Sequence, residues 1–269
     1  MNHKNINNLF KGQAGLSLVE LMIGLTLGLI LLLGVIQVFI ASKQTFATND
    51  AMSKLQENGR FGLEFISQSA RLGGYLSPGA SLDRPLPIEK EVCSVGNSSN
   101  NPCALNGSGS ASDVISFTFE PPIIDGVKRD CAGATVPDNN LVTNTYFILA
   151  ADANNPLPAL ACKSFNRTTN AVLSPQQRLI DGIDALQVQY GVDTAGDSKS
   201  VNQFVSSDRV TNWTKVIAVR IALLANSVDV LNPAPPQRNF YLLDAAPLSY
   251  NDGRARQVFT TTIQFKNNY

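Results

Sequence analysis

Few residues in this chain have the type or spacing for chemistry. His3 is the only histidine among 269 residues. A Ser-His-Asp triad, a Cys-His pair and a histidine-ligated zinc site all need an imidazole. The one present sits in a polar N-terminal stretch that a leader reading would remove. Four cysteines follow: Cys93, Cys103, Cys131 and Cys162. No two are spaced like the ligands of a zinc knuckle. An even count in an exported domain reads as two disulfides. Three connectivities are open; short local loops favour Cys93–Cys103 and Cys131–Cys162. The remaining candidates are the Gly15–Leu16 peptide bond and the carboxylate of Glu20.

Two motifs point to chemistry only weakly. Asp193-Thr194-Ala195-Gly196-Asp197 has the look of a calcium loop, but Ala195 offers no ligand. Phe204 stands where an EF-hand places its bidentate glutamate. Asp and Gly also suit a hairpin turn, and whether Asp193 and Asp197 bind calcium stays open. Gly107-Ser108-Gly109-Ser110 has neither a preceding strand nor a base, so it reads as a loop rather than a nucleophile elbow. The expectation is no catalytic residue, no metal and no cofactor. Lys plus Arg and Asp plus Glu are 21 each, a formal net charge of zero. Nucleic-acid binding draws on a cationic excess, so no nucleic-acid partner is expected.

Positioning of Glu20 falls to the segment around it. Residues 1–15 are polar and carry Lys4 and Lys11 with no acid. From Leu21 to Ser42 there is no charged residue, enough to cross a hydrocarbon core of about 30 Å as a helix. A secretory signal has its apolar run before the cleavage site. Here the candidate site precedes the run, so cleavage would leave the run in the mature chain. Hydropathy alone does not separate this from an uncut signal anchor. Glu20 does add something. A carboxylate in a spanning helix costs roughly 2.5–3.5 kcal/mol at mid-membrane and less near the interface, and a plain anchor has no use for it. Lys4 and Lys11 before the span place the N-terminus in the cytoplasm, and the rest in a compartment where disulfides form. Gly24-Leu25-Thr26-Leu27-Gly28 is a possible helix-packing face.

Gly15-Leu16-Ser17-Leu18-Val19-Glu20-Leu21-Met22-Ile23 resembles the class III leader and N-terminus of type IV pilins and pseudopilins. The resemblance implies cleavage after Gly15 by prepilin peptidase and N-methylation of Leu16. It implies that Glu20, fifth in the mature chain, pairs with a neighbour's N-terminal amine. Leu16 replaces the more usual phenylalanine.

The helix should run on past the membrane. Met52, Leu55, Gly59, Gly62, Ile66 and Ala70 recur at steps of three and four, and Gly73-Gly74 is a stop signal. At 1.5 Å per residue, a helix from Leu16 to Leu72 is about 85 Å long. After it the texture turns to loops and short alternating runs: 113–119, 146–149, 185–190, 215–224 and 258–265. Ile217, Val219, Ile221 and Leu223 face one way and Arg220 the other. Strands without βαβ alternation after one long helix imply an α+β domain, an antiparallel sheet laid on the helix. The expected division is leader 1–15, membrane and filament helix 16–42, amphipathic continuation 43–74 and periplasmic β-rich domain 75–269. The domain carries a loop-rich region pinned by disulfides.

Leu179-Ile180-Asp181-Gly182-Ile183, Leu186-Gln187-Val188-Gln189-Tyr190-Gly191-Val192-Asp193, Val219–Leu224 and Phe259-Thr260-Thr261-Thr262-Ile263 resemble the PilW family of minor pilins. That resemblance implies a non-enzymatic subunit that primes type IV pilus assembly, with the pilus tip as one position open to it. Its implied partners are other minor pilins, the major pilin, prepilin peptidase, inner-membrane lipid and, at a tip, an adhesin. The alternative is a J-type minor pseudopilin of a type II secretion system, a family whose members are usually shorter. An enzyme on an uncut anchor is a third reading, opposed by the missing catalytic cluster.

Overall fold

The computed structural model describes residues 15, 17–78, 106–107, 109, 111–169, 171–195 and 200–267. The chain divides into two compact units, Met1–Ala47 and Thr48–Tyr269. One helix, α1 (Leu18–Leu72), contributes to both. It contains no proline, and residues Leu18–Phe46 expose a nearly continuous apolar surface. From Ala51 onward the pattern changes: Ala51, Leu55, Gly59, Gly62, Ile66 and Ala70 are buried at helical spacing. Gly74 ends the helix in the left-handed region, φ 79°, which glycine enters without a Cβ clash. The N–H of Gly74 then donates to Thr118 O at 2.9 Å, and that of Glu120 to Tyr75 O at 2.8 Å. The helix end is thereby fastened to the first strand.

Ten strands follow. β1 (Ile115–Phe119), β2 (Val142–Leu149), β3 (Ala159–Asn166) and β4 (Ala171–Asp181) form one antiparallel sheet in that order. β5 (Ile183–Val192), β6 (Gln203–Val205), β7 (Val216–Asn226) and β10 (Arg256–Gln264) form a second, ordered β10-β7-β5-β6. β8 (Asn239–Phe240) and β9 (Leu248–Ser249) make a small hairpin. The α+β reading holds, but two sheets stand where one was expected. Gly182 makes the change of sheet possible. It sits between β4 and β5 at φ 80°, where a Cβ would come within 3.0 Å of Val228 Cγ2.

The main core lies between α1 and both sheets. Gly62 approaches so closely that a Cβ would lie 2.8 Å from Leu223 of β7 and 3.7 Å from Leu160 of β3. Gly59 likewise abuts the ring of Phe259 on β10. The two glycines let helix backbone reach the strands, a contact a larger side chain would hold apart. Ile66, Ile115, Phe117, Leu160, Leu186, Val219, Ile221, Leu223 and Ile263 join one buried cluster. The β7 alternation is as expected, with one addition. Ala222 and Leu224, on the Arg220 side, are also buried, with Leu242 and Leu248 from the β8–β9 region. A central strand buried on both faces cannot show a clean polar/apolar alternation.

Cys131 and Cys162 form a disulfide across 31 positions. In the chain-entropy account, closing such a loop removes about 3.7 kcal/mol of unfolded-state freedom. It ties the long β1–β2 connection to β3. Cys93 and Cys103 lie outside the described residues.

Candidate functional site

The N-terminal candidate is built on the first turns of α1. Its first intrahelical bond runs from Leu21 N to Ser17 O at 3.1 Å. Glu20 lies in that first turn, exposed to solvent. An acid there suits the positive end of the helix dipole. Gly15 and Ser17 are exposed and lie outside the helix, just before it, and Leu16 lies outside the described residues. Val19, Leu21, Met22, Ile23 and Leu25 surround Glu20 with exposed apolar side chains. A Cβ added at Gly24, Gly28 or Gly34 would meet nothing within 4 Å among the described residues. The segment is long and apolar enough to cross a membrane.

The other sequence-derived candidates fall elsewhere. Asp193 is buried, and its N–H donates to Lys215 O at 2.9 Å; Asp197 lies outside the described residues. Among the described residues no group of three His, Cys, Asp or Glu could hold a metal ion. Trp213 is half-buried, edge-on to Tyr190 with ring centroids 4.9 Å apart. It serves as a packing residue at the start of β7 rather than a free aromatic anchor.

Three buried polar clusters went unread in the sequence. Arg256 is 5 % exposed. Its Nε donates to Asp184 at 2.7 Å, its Nη1 and Nη2 to Asp252 at 2.6 and 2.7 Å, and its guanidinium lies 3.8 Å from the Tyr250 ring. Asn226 donates to the second oxygen of Asp184 at 2.8 Å. Arg256 holds Asp252 well below the usual carboxylate range. Burial raises Asp184 despite the same arginine. In the second cluster Lys128 donates to Glu120 at 2.8 Å, and Ser77 N–H donates to its other oxygen. Lys128 and Ser77 lower Glu120 to about 2. In the third, Asp130 accepts from Ser164, Ser174 and the N–H groups of Ala132 and Ala134. All three hold loops to strands. None lines a site with a nucleophile and a base together.

A fourth buried acid, Asp113, accepts from Gly107 N and Val188 N at 2.7 Å each. Burial nevertheless pushes it up to about 7, the two N–H groups pulling the other way. These shifts set opposite slopes. Glu120 and Asp252, with lowered pKa, contribute stability that is present above the unfolded carboxylate range and lost as pH falls below it. Asp113, with a raised pKa, contributes stability that is present below its unfolded value and lost as pH rises through about 7. Thermal midpoints of the full chain in detergent should therefore peak near pH 5, about one unit above the unfolded carboxylates. The Asp113→Asn variant should flatten the fall toward pH 8. A midpoint that climbs steadily from pH 5 to 8 would contradict this.

Residues 145–267, from β2 to the end of β10, match the family model Type IV Pilus-assembly protein W. Residues 10–36, which include Gly15 and Glu20, match the Prokaryotic N-terminal methylation motif. The chain is similar to the PilW family over residues 145–267 and carries the N-terminal methylation motif at its start. No curated protein matches it. Among solved structures, a type IV-like pilin from Thermus thermophilus is similar at 15 % identity and a TM-score of 0.47. The match covers 80 % of this chain and 98 % of that one. The family match falls on the folded domain and the methylation motif reaches into the start of α1.

Proposed function

We propose that this chain is a minor, non-enzymatic subunit that primes type IV pilus assembly from the inner membrane and then sits in the pilus, the tip being one position open to it. The observation that carries the reading is Glu20, exposed in the first turn of a helix whose apolar side chains from Leu18 to Phe46 have no cover among the described residues. A lone carboxylate on such a surface is costly in lipid unless it is matched. Cleavage after Gly15 would place a cationic amine at Leu16 on every subunit, four residues from that carboxylate. The N-terminus would face the cytoplasm and the β-rich domain the periplasm. Prepilin peptidase would process the chain, and its neighbours would be other minor pilins, the major pilin, membrane lipid and, in a tip position, an adhesin.

Mass spectrometry of the membrane-extracted chain should find methylated Leu16 at the N-terminus. The Gly15→Leu variant should remain unprocessed, because a bulky residue does not fit where glycine is cut. An intact Met1 in cells with active peptidase would end the prepilin reading. Deletion of the protein should abolish surface pili; loss of protein secretion with pili intact would assign it to a secretion system instead.

A further inference from the structure

The two sheets leave four edges, and three are closed or discouraged. The β1 edge is held by the backbone bonds of Gly74 and Tyr75. β4 carries Pro175 and Arg178 and pairs with shifts in register. β6 is three residues long. Prolines, charges, irregular pairing and shortness all keep an edge from accepting a strand.

β10 has none of these devices. Its nine residues pair with β7 without a bulge. From Gln257 to Gln264 they hold no charge and no proline. Phe265 N donates to Ile217 O, and Ser227 N to Ala255 O. In an antiparallel ladder, backbone groups alternate between partner and open side. Odd-numbered residues 255–265 therefore point their N–H and C=O at β7. Val258, Thr260, Thr262 and Gln264 point theirs outward, and among the described residues nothing bonds them. Thr260, Thr262 and Gln264 are exposed.

Cations surround this edge. Arg238 donates to Arg256 O at the start of β10, Lys266 follows its end, and Arg220 donates to Thr262 Oγ1. Among the described residues none of the three has a carboxylate partner. Antiparallel pairing of β10 with a second copy would set Lys266 against the partner's Arg238 end, and like charges across strands oppose pairing.

We infer that β10 is an acceptor edge, and that it adds an extended segment of a different protein, with an uncharged β-branched centre and acidic ends. Backbone hydrogen bonds would supply the affinity, and the acids facing Arg238 and Lys266 the selectivity. The inference stands on the edge geometry and holds whichever assembly the chain serves.

The test uses the full chain in detergent micelles and the peptide Glu-Thr-Val-Thr-Val-Thr-Val-Glu. Amide hydrogen exchange by NMR should show Val258, Thr260, Thr262 and Gln264 fast in the free protein and slowed about tenfold or more by peptide. The 257–263 odd-numbered amides should be slow throughout. Exchanging both glutamates for lysine should weaken binding about tenfold. Thr260→Pro, which removes only an outward N–H, should abolish the protection with the β7 ladder intact. Even-numbered amides slow without peptide, peptide binding that leaves them fast, equal affinity for the lysine peptide, or a β10-linked homodimer would each overturn the inference.

Discussion

Replacing Glu20 with leucine is expected to leave export, processing and the Cys131–Cys162 disulfide unchanged, while recovery of partner pilins falls at least about tenfold. The Glu20 side chain has no role in its own fold: it is exposed, in the first turn of α1, far along the chain from the residues that build the core. Its cost and its use both arise between chains. An α-amine has a reference pKa of about 8, so it is largely cationic at neutral pH. When apolar helices gather, the effective dielectric around both groups drops. An unmatched charge becomes expensive, and a matched pair attracts more strongly. Only one axial register satisfies both groups. Breaking a buried pair by removing one partner costs about 3–5 kcal/mol, which the partly solvated setting here reduces. Crosslinking or co-purification with partner pilins, with pilus counts, at wild-type abundance of the Glu20→Leu chain is the measurement. Unchanged partner recovery and unchanged piliation would show the carboxylate to be dispensable. A subunit at the very top of a stack has no neighbour above it and would give that result.

The second large effect is expected at Arg256, where leucine should destabilise the domain by about 3–5 kcal/mol. Arg256 is the shared donor for Asp184 and Asp252, and Asp184 is itself buried, 4 % exposed at its side chain. Without the guanidinium, Asp184 keeps only the Asn226 amide. Its carboxylate must then be buried uncompensated or take up a proton. Asp252, 35 % exposed, can turn to water. For a domain of this size the loss corresponds to a thermal midpoint about 10 °C lower. Adding Asp184→Leu to the same chain should restore much of it, because replacing both partners by apolar groups leaves no orphaned charge. A single variant melting with the parent chain would show that the cluster contributes little.

The sequence by itself determined the elements whose signals are local. A charge-free run without proline specifies the start of α1, and small or apolar residues at steps of three and four specify its buried face. Gly73-Gly74 marks the end of α1 because a left-handed residue is needed there. β7 was legible from its odd-numbered Val, Ile and Leu residues, and β5 and β10 from a similar alternation. β3 and β4 were not read as strands. Ala159–Asn166 is buried at nearly every position, and Ala171–Asp181 is a polar edge strand, so neither has a period of two to read. Gly15 and Glu20 were singled out because a polar basic stretch, a glycine, an acid and an apolar run stand in a fixed local order.

Tertiary structure alone decided what depends on residues distant in sequence. Nothing local in Arg256 says that it will meet Asp184, 72 positions away. Glu120 and Lys128 are eight apart and read as ordinary surface charges until the domain closes over them. The division into two sheets turns on Gly182, whose need for a positive φ appears only when the chain must leave β4 and enter β5 within one residue. The open edge of β10 is of the same kind. Which backbone groups face outward follows from its register with β7, and a register is a property of the pair.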